Sequence, residues 1–162
     1  MNLKLEEAVA DERMFFELYA ETRREEMAGW GWEKDEQQSF LAMQFRFQQQ
    51  SYRMVYPDSQ IRLITMDGQP IGKLHTAMTG DEKVLVDIIL APASRNKGIG
   101  TRLIAMLQEE ARIAGLSLRL TVRLDNPAKQ LYARMGFALF QRDELHEQMI
   151  WRSTDHEVIG TS

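Results

Sequence analysis

Between Val84 and Leu103 the chain passes from an apolar run through a proline into Arg95-Asn96-Lys97-Gly98-Ile99-Gly100-Thr101 and the start of a helical pattern. Residues of these types in this order suit an anion. The helix that follows offers unpaired backbone N–H groups and the positive end of its dipole, and Arg95 and Lys97 add full charges at the same point. Gly98 and Gly100 let a phosphate touch backbone, which a side chain would hinder. Two phosphate-binding patterns fail on spacing. A Walker loop places its lysine after the second glycine, whereas Lys97 precedes Gly98, and a dinucleotide fingerprint needs a third glycine where Thr101, Arg102 and Leu103 stand. Asp87 is the other chemically loaded position. It is the only charged residue between Val84 and Leu90, and a carboxylate inside an apolar strand costs burial energy unless it is paired or working. It suits proton transfer through a water, and equally a bridge to Arg119 or Arg123 on the adjacent strand. His75, titrating near neutrality, and Glu25 or Glu33 are the other candidates for a base.

The elements that must hold these residues follow from periodicity. Leu3-Lys4-Leu5 starts a short strand, and Asp11 is placed to cap a helix beginning at Glu12 with Met14, Phe15, Leu18, Tyr19 and Thr22 on one face. Arg23, Arg24, Glu25 and Glu26 form a charged, solvated end. Gly29-Trp30-Gly31-Trp32 breaks the pattern, and two indoles between glycines either line a pocket or plug the base of two helices. A second helix is expected from about Asp35 to Tyr52, with Phe40, Leu41, Phe45 and Gln48 on one face, Phe47 on the flank, and Tyr56-Pro57-Asp58 after its end. Gln60 to Met66 and Ile71 to Met78 read as a hairpin around Asp67-Gly68, and Gly80-Asp81 turns the chain into a third strand, Lys83 to Leu90.

After the glycine loop, Ile99, Leu103, Leu107, Ala111 and Ala114 recur at helical spacing and Gly115 is placed to end the helix. Leu116, Leu118, Leu120, Val122 and Leu124 alternate with polar residues, so a strand, a crossover helix and a strand imply a parallel pair. Asn126 caps a further helix with Pro127 at its first position and Ala128, Leu131, Tyr132 and Met135 inside. Phe137 to Gln141 and Gln148 to Trp151 close the chain as a hairpin, leaving a polar tail at 153–162.

Composition narrows the classes. A chain of 162 residues is about the size of one domain, able to bury roughly two thirds of its unfolded surface. The absence of cysteine excludes disulfides, thiolate metal sites and a Cys nucleophile, and fits a reducing compartment. No apolar run approaches the roughly 20 residues of a membrane span, and the first residues lack a leader pattern, so a cytoplasmic protein with no membrane partner and no metal is expected. A net charge of −4 disfavours a nucleic-acid partner.

Arg95-Asn96-Lys97-Gly98-Ile99-Gly100 resembles the acyl-coenzyme A loop of the GNAT N-acetyltransferases, Arg/Gln-x-x-Gly-x-Gly/Ala after a strand. Asn126-Pro127-Ala128-Lys129-Gln130-Leu131-Tyr132-Ala133-Arg134-Met135-Gly136-Phe137 resembles that family's second signature, although Ala128 comes one residue early. The resemblance covers residues 60 to 152 well and is only topological before them. It implies a mixed α+β, GNAT-like fold over residues 1–152 as a single domain: a central, mostly antiparallel sheet with one splayed parallel strand pair, and helices on both faces. It also implies acetyl transfer from acetyl-CoA to a primary amine, with coenzyme A as product. Ile88, Ile89 and Leu90 would pair their backbone with the pantetheine amides, much as an added strand would. Arg95, Asn96, Lys97, Gly98, Ile99, Gly100 and Thr101 would hold the pyrophosphate, and Asn126 would reach the pantetheine chain. Tyr132 matches the family's tyrosine. A phenol with a reference pKa of about 10 is a competent proton donor to a thiolate whose conjugate acid lies near 8.5; the alternative is a core tyrosine with its hydroxyl on a backbone carbonyl. A backbone N–H near Leu90 would meet the oxyanion, and Asp87 is the candidate base.

The leading expectation is therefore an N-acetyltransferase of a small-molecule or peptide amine, active alone or as a homodimer. A non-catalytic acyl-coenzyme A sensor is opposed by Tyr132, and a toxin-like acetyltransferase of aminoacyl-tRNA by the acidic balance. The acceptor is expected at the Gly29–Trp32 loop, where Glu25, Glu26, Glu33 and Asp35 would draw a cation.

Overall fold

Local pattern and observed element coincide along most of the chain. In the computed structural model, which describes residues 2–7 and 12–153, the strands are β1 (Leu3–Glu7), β2 (Gln60–Met66), β3 (Gln69–Thr79), β4 (Glu82–Leu90), β5 (Ser117–Arg123), β6 (Ala138–Arg142) and β7 (His146–Trp151). The α-helices are α1 (Glu12–Met27), α2 (Lys34–Val55), α3 (Ile99–Ala114) and α4 (Ala128–Arg134), with a short 3₁₀ turn at Pro92–Ser94. The fold is mixed α/β. Its seven strands run in the order β1-β2-β3-β4-β5-β7-β6, mostly antiparallel, with β4 and β5 as the parallel pair. The chain falls into two compact units, Met1–His75 with Asp87–Asn96, and Thr76–Val86 with Lys97–Ser162. The expected Asp11 cap and the tail beyond Ser153 lie outside the described residues.

In the first unit, β1 runs antiparallel to β2, with Leu3 opposite Met66 and Glu7 opposite Arg62. Asp67 and Gly68 join β2 to β3, both at positive φ (51° and 83°), the backbone of a two-residue hairpin turn whose twist matches its strands. Helices α1 and α2 share a core of Phe15, Leu18, Tyr19, Met27, Leu41 and Phe45 around the fully buried Ala20. Phe47, expected on the flank of α2, is 62% exposed.

In the second unit, α3 ends as its sequence indicates. Gly115 is left-handed (φ 72°), Leu116 N–H donates to Ala111 O and Gly115 N–H to Arg112 O, the pair of bonds that satisfies a helix C-terminus ending on glycine. Ile99, Leu103, Ile104, Leu107 and Ala111 are buried. Ala114, expected on that inner face, is exposed in the last turn. Strand β5 buries Leu118, Leu120 and Val122, and β7 lies between β5 and β6, so the closing hairpin enters the sheet by its second strand. No helix of the described residues is long and apolar enough to cross a membrane.

Candidate active site

Among the described residues the β4–β5 ladder runs over four pairs, from Glu82–Ser117 to Leu85–Leu120, while β4 continues to Leu90 and β5 to Arg123. Parallel strands that run on past their last pair leave backbone groups for another partner. Within the first unit, the end of β4 is held hard against β3. Ala91 N–H donates to Ile71 O at 2.8 Å, and a Cβ built on Gly72 would stand 2.3 Å from Ile89 O. Only glycine permits that approach. Ile88, Ile89 and Leu90, the expected pantetheine strand, are each partly exposed.

The loop that follows is shaped by two left-handed residues, Asn96 (φ 60°) and Gly98 (φ 75°). Asparagine tolerates that conformation better than other side chains. Gly98 is the N-cap of α3 and makes no side-chain capping bond, so the first N–H groups of the helix are left for something else. At Gly98 and at Gly100 an added Cβ would meet nothing within 4 Å. The protein's own packing therefore does not demand Gly100, and in a helix alanine would be favoured over it by about 1 kcal/mol; glycine there keeps the helix end open from outside. Lys97 is exposed. Arg95 is not a free cation: its Nε donates to Leu90 O at 3.2 Å and its Nη2 to Thr22 Oγ1 at 3.1 Å, while Thr22 donates to Leu18 O. It ties the loop to the end of β4 and to α1.

Helix α4 is fixed at both ends. Asn126 Oδ1 accepts the Ala128 N–H at 2.9 Å and Asn126 O the Lys129 N–H, so Asn126 does the capping that its type predicts. At the other end Gln108 donates to Met135 O, and Gly136 turns the chain at φ 94°, where a Cβ would meet Trp151 at 3.3 Å. Glu147 on β7, its side chain 5% exposed, pairs with Lys129 of α4 and with Arg142. Tyr132 is thus carried on a rigid support, buried beside Phe137 with ring centroids 5.7 Å apart. No described residue hydrogen-bonds its hydroxyl, unlike the core tyrosine bound to a carbonyl. Burial pushes its phenol above the ordinary value.

Each arginine offered to Asp87 by the sequence has a partner of its own. Arg119 pairs with Glu82 at 3.5 Å and bonds Gln148, and Arg123 pairs with Asp125 at 3.2 Å. Burial pushes the Asp87 carboxyl up from its ordinary value, opposed by the charge of Lys73, by the Ile88 backbone N–H and by Arg23. Lys73, on β3, is a residue the sequence reading passed over. The signal was available: it is the one Lys, Arg, Asp or Glu in β3, much as Asp87 is the one such residue between Val84 and Leu90. His75 is buried, with Nε2 2.6 Å from Ser59 Oγ and its ring 5.2 Å from that of Tyr52. Burial, with help from Lys73, pushes its pKa down to about 4, so the neutral imidazole is a weak base. Glu33 is exposed at the N-terminus of α2, and the Glu25 side chain lies outside the described set.

The indoles do not plug the helices. Trp30 and Trp32 are 49% and 38% exposed, edge-to-face with each other and with Phe40. A cavity of about 490 Å³ in the same unit is lined by Arg24, Lys34, Asp35, Gln37 and Gln38. The acidic mouth expected from sequence is therefore balanced in space by two cations. Of the expected site residues, Asp87 through Asn96 lie in the first unit, and Lys97 through Thr101, Asn126 and Tyr132 in the second.

A family model described as an acetyltransferase (GNAT) domain matches residues 20–152. The chain belongs to the GNAT acetyltransferase family. No curated protein matches its sequence. Among solved structures it is similar to the PaiA N-acetyltransferase of Thermoplasma acidophilum in complex with coenzyme A (18% identity, TM-score 0.70, 94% of this chain and 100% of that one). It is also similar to a nourseothricin acetyltransferase (29% identity, TM-score 0.51, 59% of this chain and 65% of that one). A third, a candidate streptothricin acetyltransferase of Bacillus anthracis in complex with acetyl coenzyme A, shares 21% identity at a TM-score of 0.52 over 60% of this chain and 64% of that one. GNAT membership makes acetyl transfer the chemistry to be explained.

Proposed function

We propose that the protein moves an acetyl group from acetyl-CoA to a primary amine of a small molecule, releasing coenzyme A. The observation that carries the choice of an amine is Asp87. A nitrogen nucleophile arrives as an ammonium and must lose a proton before it attacks, and a carboxylate with a buried oxygen that no described residue hydrogen-bonds is a proton acceptor suited to that step. The names of the nourseothricin and streptothricin enzymes support a small acceptor.

The residues fit the donor. Gly98, Gly100, the uncapped start of α3 and Lys97 receive the pyrophosphate, with Ile99, Thr101 and Asn96 shaping the loop and Arg95 fixing it to β4. Ile88, Ile89 and Leu90 offer backbone to the pantetheine amides, and Asn126, its Oδ1 spent on the cap, offers its NH₂. The thioester supplies an activated acyl carbon with a good leaving group. Asp87 passes one proton of the arriving ammonium to solvent before attack and, directly or through a water, takes the next from the acceptor nitrogen as the N–C bond forms and the C–S bond breaks. A backbone N–H near Leu90 meets the oxyanion, and Tyr132 gives its phenolic proton to the departing thiolate. Solvent then recovers the proton from Asp87 and returns one to Tyr132.

Thiol release from acetyl-CoA over a panel of small primary amines, lysine peptides and peptide N-termini tests the reading. Release that depends on a small amine, with an acetamide product by mass spectrometry, is expected. Acetylation of hydroxyl acceptors only, or of peptides only, would overturn it.

A further inference from the structure

Lys73 sits mid-strand in β3 and is 1% exposed. Its Nζ has no hydrogen-bond partner and stands 5.6 Å and 5.9 Å from the ring centroids of Phe15 and Phe45. An ammonium so enclosed keeps its charge only near an anion, and an apolar side chain of the same volume would cost less. The anion that acts on it is Asp87 on the neighbouring strand β4, whose Oδ2 is likewise buried and without a hydrogen-bond partner. Each group is pushed toward neutrality by burial and drawn back toward charge by the other.

The other groups facing Asp87 do not replace Lys73. From α1, Arg23 acts on it more weakly, lies 5.1 Å from the Tyr19 ring and pairs with Glu26 at 3.9 Å. From α1 and α2, Tyr19 and Tyr52 are pushed up, first by burial and then in part by the Asp87 charge. His75, two residues along β3, is neutral.

We propose that Lys73 is a positioning residue for the transfer: its enclosed ammonium is the counter-charge that lets Asp87, with one oxygen buried on the adjacent strand, serve as a carboxylate. This rests on the reading of Asp87 as the base.

Lys73→Met removes the charge at nearly constant volume. The acidic limb of kcat/KM for the amine should move up by about one pH unit or more, giving roughly tenfold or greater loss at pH 7 that is recovered at alkaline pH. KM for acetyl-CoA should stay constant, and Lys73→Arg should return the limb. A second readout needs no turnover: the carbon-13 carboxyl resonance of Asp87, assigned by its loss in Asp87→Asn, should titrate at higher pH in Lys73→Met. An unmoved carboxyl titration overturns the role of Lys73 whether or not any amine is acetylated. A shifted titration with an unmoved limb overturns the proposal through Asp87 instead, because Asp87 is then not the base. If Lys73→Met does not fold, wild type decides: Asp87 and the Lys73 Nζ nitrogen-15 resonance moving at the same pH values supports the coupling, and independent titration overturns it.

Discussion

Tyr132 combines a buried ring, a raised proton affinity and a hydroxyl that no described residue holds. Its phenol therefore stays protonated through neutral and mildly alkaline pH, as a donor to a thiolate requires. Tyr132→Phe keeps the ring against Phe137 and removes the proton, so kcat should fall by about 10² to 10⁴ with coenzyme A affinity nearly unchanged. Steady-state rates and a binding isotherm on the same preparation check this; undiminished kcat would return Tyr132 to a packing role. His75 makes a different claim, about stability. Its folded pKa of about 4 lies below the unfolded value of about 6.5, so the unfolded chain binds more protons between those limits. Its contribution is intact above pH 6.5 and is lost as pH falls toward 4. His75→Gln retains a hydrogen-bonding partner for Ser59 and should flatten the decline of the urea midpoint between pH 7 and 4.5. An equally steep decline in the variant would assign the acid sensitivity to other groups.

The loop and helix elements divide binding from scaffolding. Lys97 is exposed at an uncapped helix start, whereas Arg95 spends two nitrogens on Leu90 and Thr22. Lys97→Ala should therefore weaken coenzyme A binding by roughly three- to tenfold at low salt with an unchanged melting temperature. Arg95→Ala should weaken binding and lower the melting temperature together. Calorimetric titration beside thermal melts separates the two, and equal thermal effects would refute the division. The α1–α2 loop presents Trp30 and Trp32 as an exposed aromatic surface backed by the partly buried Phe40 of α2, so Trp30→Phe and Trp32→Phe should raise the KM of the acceptor at nearly constant melting temperature. Lost stability with unaltered acceptor kinetics would place the acceptor elsewhere. Elements whose signals are local were legible from the sequence: the Asp67-Gly68 turn, the Gly115 terminus and the Asn126 cap each depend on residues within a few positions. Ala114 was misjudged because helical periodicity names a face without saying whether burial extends to its last turn.

On the scale of the whole molecule, what escaped the sequence is what joins distant segments. Lys73 and Asp87 occupy different strands 14 positions apart, and each alone reads as a lone charge. Arg95 reads as an anion ligand until Thr22, 73 residues away, takes its guanidinium. The order β5-β7-β6 follows from where the last hairpin docks rather than from its own alternation. The parallel pair itself was legible from strand, helix and strand, yet nothing in the alternation of β5 says that pairing stops at Leu120. That early stop has a consequence on the timescale of amide exchange. Amides within the four-pair ladder should open only with the sheet, whereas those of Val86–Leu90 that lie outside it and do not donate to β3 should trade deuterium quickly in the free protein. Saturating coenzyme A should slow them selectively, so that exchange mass spectrometry sees the cosubstrate as the strand the polypeptide leaves out.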